Sequence, residues 1–177
     1  MNGPLPGDTE EAYRRLAEAA AGTAPETVAA LVRTTQQQVQ TLLTRLTGSM
    51  SVERPALETY RLALGVTPAP RAEEDAELVV LQVAITVAEQ DGAFGLRSVS
   101  RGGGSPQDLV MTLPRDLRIA FVLTQSVGLT YARAATVCDV TAAEIRTRVA
   151  RARERLLAHT DPLRTHPGPG PGRTRPW

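Results

Sequence analysis

The chain has 177 residues, 42% of them apolar and 22% charged, and its net charge is +1. This length allows one compact domain or two small ones, and the apolar share is enough for a core, which excludes a wholly disordered chain. The single cysteine excludes an internal disulfide and a zinc site built from cysteines, so we expect a cytoplasmic protein. No apolar run approaches the roughly 18 residues of a membrane span, and no secretory signal opens the chain, so we expect no membrane contact.

The net charge hides an asymmetry between two parts of the chain. Residues 1–112 carry nine Arg and fourteen Asp or Glu, a net charge of −5, whereas residues 113–177 carry eleven Arg and five Asp or Glu, a net charge of +6. Every basic residue apart from the two histidines is an arginine. An acidic part followed by a basic part indicates that only the second part binds a polyanion.

The first helical patterns lie before Gly48. Residues 1–22 are predicted to be an N-terminal extension that contains a helix over residues 9–21. Residues 23–26 (TAPE) resemble a capping box with proline in the first turn, and apolar residues at helical spacing follow it. The pattern therefore predicts a long amphipathic helix that ends at Gly48.

Two more helices are predicted in the acidic part. Pro55 opens a short helix that ends at Gly65, and residues 72–91 begin with four acidic side chains and continue almost wholly apolar. The β-branched residues of this last segment leave a strand open, but its length and its acidic first turn favour a buried helix. Residues 23–94 are accordingly predicted to be one small all-helical domain.

The composition divides the rest of the chain. Glycine and serine mark residues 95–112 as a flexible linker, so we expect the units on either side to move independently in the free protein. Residues 160–177 are rich in proline and glycine and are predicted to be a disordered tail. The predicted fold class is therefore all-α, with two small helical units joined by a flexible linker.

Residues 113–159 are predicted to form a helix-turn-helix. A helix follows Pro114, Thr130 can cap a short second helix, and a tight turn at residues 138–140 comes next. Residues 141–144 (TAAE) form a second capping-box pattern that opens a longer helix, and its inward-facing residues are predicted to be Ile145, Val149, Leu156 and Leu157. In this motif the second helix enters the major groove of DNA near its N-terminal end.

The residues of the last helix suit a nucleic-acid partner. Five arginines share this helix, and burying them all inside a protein would be very costly, so they face solvent, an acidic partner or nucleic acid. Arginine pairs with phosphates or guanine, and Glu144 can accept from cytosine. The predicted DNA-contacting residues are Thr130, Tyr131, Thr141, Ala142, Ala143, Glu144, Arg146, Thr147, Arg148 and Arg151.

Residues 113–156 resemble region four of the sigma-70 family, in particular its extracytoplasmic-function (ECF) group. The matching positions are Arg118, Gly128, Leu129, Tyr131, Ala135, Ile145, Arg146, Arg148, Arg151, Ala152 and Arg153. The resemblance implies a winged-helix-like DNA-binding fold that binds the −35 promoter element and docks on the β flap of RNA polymerase core, here through Arg153 and Arg155. It implies no cofactor, no metal and no catalytic residue.

The order of elements in the acidic part resembles region two of the same family. There the resemblance implies docking on the β′ clamp helices, with Glu58 and Tyr60 at the family's Glu and Phe positions. The family's next helix carries a tryptophan and basic residues that hold the opened −10 strand, but residues 75–91 have neither and contain Glu77 and Glu89 instead. Binding of single strands needs positive charge and aromatic faces. We therefore predict that the acidic part keeps the helical framework of region two and lacks the surface that opens and holds the −10 strand.

Two functions stay open after this comparison. The chain is predicted to be an ECF-like sigma factor that directs transcription initiation, with promoter DNA and RNA polymerase core as partners and an anti-sigma factor as a further one. The alternative is a sigma-like protein that binds polymerase or another regulator through its acidic half without opening promoters.

Other classes fit the sequence less well. His159 and His166 lie at the start of the predicted tail, which is a poor place for a general base. The resemblance implies that Cys138 takes the place of a small residue that packs in the turn, so no enzyme is predicted. A response-regulator effector would follow a domain of alternating strands and helices, and no such alternation precedes the helix-turn-helix.

Overall fold

The computed structural model describes residues 25–66, 73–94 and 105–160. Those ranges hold seven α-helices and no strand, which confirms the all-α prediction. The helices are α1 (Pro25–Thr47), α2 (Glu53–Val66), α3 (Glu73–Gln90), α4 (Pro106–Met111), α5 (Arg115–Gln125), α6 (Tyr131–Cys138) and α7 (Ala142–Thr160). The helix predicted over residues 9–21, the linker residues 95–104 and the tail after residue 160 lie outside the described residues.

Helices α1 to α3 pack together through the faces that the sequence pattern predicts. The apolar positions of α1 face inward at helical spacing, with Val39, Leu42 and Leu46 fully buried. Helix α3 is a helix and not a strand, and its Leu81 and Ala84 are fully buried because α3 contacts α1, α2 and α6. Burial against three neighbours explains why this segment is apolar nearly all round.

Part of the predicted linker is ordered and helical, which corrects the boundary drawn at residues 95–112. Ser105 and Asp108 form a capping box at the start of α4, with Pro in its first turn. Gln107 then donates through Nε2 to the carbonyl oxygens of Thr44 (3.3 Å) and Arg45 (3.2 Å). Because the last carbonyls of a helix have no partner within it, α4 satisfies the C-terminal end of α1.

The N-terminal group of helices (α1–α3) and the C-terminal group (α5–α7) pack against each other, contrary to the prediction that the units on either side of the linker move independently. Their buried apolar residues form one continuous cluster that runs from Val28 in α1 to Val149 in α7. Helix α3 contacts α6, and α1 contacts both α4 and α5. The composition of the linker therefore did not predict that the helices before and after it pack together.

Arg118 of α5 lies at the junction of the two groups. It is the one charged side chain that is buried in the described part of the chain, at 6% exposure. Its guanidinium donates to the carbonyl oxygens of Ala93 (2.9 Å), Met111 (2.6 Å), Leu113 (3.0 Å) and, at the upper limit, Leu46 (3.4 Å). Four carbonyl groups from three separate parts of the chain thus converge on one cation.

Helix ends take the place of a counterion for Arg118. Burial lowers the pKa of its guanidinium, but an arginine stays charged in proteins. The carbonyls of Leu46 and Met111 lie at the C-terminal ends of α1 and α4, where the helix dipole is negative. The guanidinium also stacks on Phe94 at 5.1 Å from the ring centroid, so this aromatic residue packs at the junction.

Candidate nucleic-acid interface

Helices α6 and α7 form the predicted helix-turn-helix, and each turn residue has a local reason for its place. Thr130 Oγ1 accepts from the backbone N–H of Arg133 (3.2 Å) and caps α6. Asp139 ends that helix in the left-handed region (φ 52°), which a short polar side chain tolerates. Thr141 Oγ1 then accepts from the N–H of Glu144 (3.1 Å) and caps α7.

The inner face of α7 is a narrower stripe than predicted. Ile145 and Val149 are buried as expected, and Ala152 is fully buried beside them. Leu157, which was predicted to face inward, is 69% exposed. The stripe continues at a helical step to the half-buried Leu156, and Leu157 lies off it.

The outer face of α7 carries the residues predicted to contact DNA. Arg146, Thr147 and Arg151 are exposed, as are Thr141 and Glu144. The guanidinium of Arg146 lies 5.7 Å from the ring centroid of Tyr131.

This contact joins the start of α6 to the start of α7. Thr130 and Ala143 are also exposed, whereas Ala142 is half-buried against the core. The exposed members of the set can reach a polyanion from outside the protein, because no other part of the described chain covers them.

Arg148 and Glu144 behave differently from the expectation. The carboxylate of Glu144 accepts from Arg148 Nε (2.9 Å) and not from the backbone at Thr141, so only half of the predicted capping box forms. The Arg148 side chain is only 20% exposed. It lines a cleft formed by α3, α5 and α6, together with Glu89 and Cys138.

The residues predicted to dock on polymerase are not equally accessible. Tyr60 is 5% exposed, and its hydroxyl shares a hydrogen bond with Thr35 Oγ1 (3.0 Å), so its assignment to a docking surface is wrong. Glu58 lies in a surface groove between α2 and α3, where its hydrogen bond from Arg61 (2.6 Å) lowers the pKa of its carboxyl group.

Arg153 and Arg155 are exposed in the second half of α7. Arg153 donates through Nη2 to Gln125 Oε1 (2.7 Å) at the end of α5. These two arginines therefore remain available to a partner that approaches α5 and α7 together.

The ion pairs that join the two groups of helices were not predicted from the sequence. Arg133 of α6 binds Glu77 of α3 through Nη2, and Arg115 of α5 binds Glu89 of α3 through Nε (2.7 Å). The sequence carried one sign of these ion pairs, because α3 has acidic residues where the resemblance leads one to expect basic ones. Their pairing could not be read from the sequence, since it depends on how α3 meets α6.

Neither a metal site nor a membrane helix is found in the part of the chain that the structure describes. No three His, Cys, Asp or Glu side chains of residues 25–66, 73–94 and 105–160 come together as metal ligands. Within the same ranges, no helix is both long and apolar enough to cross a bilayer. Burial raises the pKa of the half-buried Cys138 thiol, which keeps it protonated at neutral pH.

Comparison with known proteins identifies the family. Residues 107–156 match "Sigma-70, region 4", a range that begins inside α4 and ends inside α7. The ECF RNA polymerase sigma factor SigC of Mycobacterium tuberculosis is 32% identical over 173 residues, which cover 86% of this chain and 94% of the relative. The chain belongs to the ECF sigma factors.

A probable RNA polymerase sigma-C factor of Mycobacterium bovis matches with the same identity and coverage. The alignment extends far beyond region four, so the acidic half of this sigma factor is homologous to its relatives as well.

A solved structure of CnrH in complex with the cytosolic domain of CnrY superposes with a TM-score of 0.61 at 18% identity. The superposition covers 83% of this chain and 95% of the matched one, and it supports the same fold.

Proposed function

We propose that this ECF sigma factor binds promoter DNA through α6 and α7 and docks on RNA polymerase core to direct transcription initiation. The observation that carries the proposal is the exposed face of α7, where Arg146 lies beside Tyr131 and Arg151 is exposed further along the helix. A guanidinium can bind a guanine edge or a phosphate, and the N-terminal turns of a recognition helix are the part that enters the major groove.

The residues divide by their chemistry. Arg146, Thr147 and Arg151 can reach base edges, whereas Thr130 and Thr141 lie at helix N-termini, which favour phosphate. Glu144 orients Arg148 through their hydrogen bond, so its contribution to base reading is indirect.

Arg146→Ala tests the DNA-binding surface. We expect a loss of about 1–3 kcal/mol in the free energy of binding to a promoter duplex, because one base-reading arginine is removed. Arg33→Ala is the matched control, since Arg33 is an exposed arginine on α1. Equal affinity of both variants at matched salt would show that Arg146 does not contribute to DNA binding.

Polymerase docking is proposed for Glu58 in the N-terminal half and for Arg153 and Arg155 in the C-terminal half. All three are accessible or partly accessible, and they lie on α2 and α7, away from the buried junction at Arg118. We also propose residues 23–94 and 113–159 as the two functional units and an anti-sigma factor as a further partner, since CnrH was solved with CnrY. The proposed activity is non-catalytic and takes place in the cytoplasm.

The second candidate is a sigma-like protein that does not open promoters by itself. Helix α3 contains no Arg, Lys or aromatic residue, which a single strand would need for neutralisation and stacking. Permanganate footprinting with core polymerase and this protein alone decides between the two functions. Reactive thymines across the −10 element support the first function, and unreactive thymines at a bound promoter support the second.

A further inference from the structure

Tyr131 is an aromatic side chain that the core holds at the edge of the helix-turn-helix. It is the first residue of α6 and directly follows Thr130, whose side chain caps that helix. The Tyr131 side chain is partly buried and packs against the cluster of buried apolar residues. A tyrosine has few rotatable bonds, so a ring that is packed in this way is a rigid contact surface.

The guanidinium of Arg146 lies over this ring, 5.7 Å from its centroid. Arg146 is exposed and stands near the N-terminal end of α7. Among the residues that the structure describes, no other arginine of α7 lies over an aromatic ring. Because the face of a tyrosine attracts a cation, the contact restricts the directions in which this long side chain can extend.

The hydrogen bonds of the neighbouring side chains distinguish Arg146 from them. Glu144 and Arg148 bind each other (2.9 Å), and the Thr147 hydroxyl donates to the carbonyl oxygen of Ala143 (3.1 Å). The donors of Arg146, in contrast, take no hydrogen bond or ion pair within the described part of the chain. The ring therefore holds the guanidinium without using the N–H groups that a ligand would need.

We propose that Tyr131 is a positioning residue for base recognition: its ring holds Arg146 in place while the guanidinium donors stay free for O6 and N7 of a guanine in the major groove. This inference rests on the proposed function, because it takes α6 and α7 as the DNA-binding helices. An arginine that is held before binding loses less side-chain freedom when it binds. Its planar fork then fits the guanine edge better than the other base edges.

The same reasoning separates sequence preference from general affinity for DNA. Every sequence offers phosphates, and binding to them follows charge and not the alignment of one guanidinium with a base edge. Loss of the ring leaves the charge of Arg146 in place. It is therefore expected to weaken the preference for one base and to leave the affinity for a mixed-sequence duplex close to that of the parent.

The first test measures base preference in variants of the ring. Full-length protein assembled with RNA polymerase core selects duplexes from a library with a randomised block at a fixed salt concentration. We expect the parent to enrich guanine at one position and Arg146→Ala to lose this enrichment. Tyr131→Leu should lower the guanine preference there by about two- to fivefold, whereas Tyr131→Phe, which keeps the ring, should stay close to the parent.

Phe121→Leu is the matched control. It removes a partly buried aromatic ring from α5, and within the described residues no arginine lies over that ring. An unchanged guanine preference in Tyr131→Leu, or an equal loss in Tyr131→Phe, overturns the inference and leaves the proposed function standing. Absence of DNA binding by the parent overturns both.

The second test asks whether Tyr131 acts through Arg146. The affinity for the selected duplex is measured for Tyr131→Leu, for Arg146→Ala and for the variant that carries both substitutions. We expect Tyr131→Leu to weaken binding by about two- to fivefold in the parent and to have no further effect once Arg146 is replaced, because no guanidinium is left to hold. An equal loss in both backgrounds shows that the ring acts without the arginine and overturns the inference.

Discussion

At the scale of single residues, Arg118 shows how one side chain can join distant segments. Its guanidinium donates to carbonyl groups at the end of α1, after α3, at the end of α4 and in the turn between α4 and α5. The resemblance to region four marked Arg118 as a family position, but its partners could not be identified from the sequence. They lie as far as 72 residues away along the chain, and only the packed structure brings them together.

Arg118→Lys tests whether the fork of donors matters more than the charge. An ammonium group cannot reach four converging carbonyls with the geometry of a guanidinium, and each buried carbonyl left unpaired costs about 1–3 kcal/mol. We expect a clear loss in the free energy of unfolding, measured by urea denaturation. Arg33→Lys on the exposed face of α1 is the control, and an equal midpoint for both variants would contradict the role of Arg118.

At the scale of elements, the local signals predicted most helices correctly. The apolar spacing of α1, the acidic start of α3 and the caps of α6 and α7 all depend on near neighbours, which a sequence displays. Helix α4 was missed although Ser105 and Asp108 carry a capping-box pattern, because the glycine-rich stretch before them dominated the interpretation. The burial of Tyr60 was also missed, since it depends on Thr35 in another helix.

The start of α7 depends on its cap. Thr141→Val removes the acceptor of the Glu144 N–H and keeps the shape of the side chain, so we expect a loss of about 0.5–2 kcal/mol in the free energy of unfolding. Thr141→Ser retains the hydroxyl and should stay close to the parent. Thermal denaturation of the three proteins provides the comparison, and a stable Thr141→Val variant would show that the cap contributes nothing.

At the scale of the whole molecule, the buried residues of both halves form one core. Composition and charge predicted two units with opposite character, and residues 107–156, most of them in the basic part, match region four of the sigma-70 family. Their mutual packing could not be predicted, because it arises from contacts of α3 with α6 and of α1 with α5 that no local pattern encodes.

Leu81→Ala tests whether this core is shared. Leu81 is fully buried on α3, and its truncation should cost about 2–5 kcal/mol in the free energy of unfolding. Because α3 also packs on α6, we expect amide exchange to accelerate in α6 as well as in α1, as measured by hydrogen-exchange mass spectrometry. Unchanged exchange in α6 would mean that the two halves are energetically separate.

The carbonyl partners of Arg118 also decide what a truncated protein can report. A fragment that begins at Ser105 retains the carbonyls of Met111 and Leu113 and loses those of Leu46 and Ala93, so water must replace half of the arginine's acceptors. Such a fragment also lacks Glu77 and Glu89, the α3 partners of Arg133 and Arg115. Its DNA affinity would describe a helix-turn-helix without the contacts that the first half makes to it, so only the full-length protein reports the affinity of the packed arrangement.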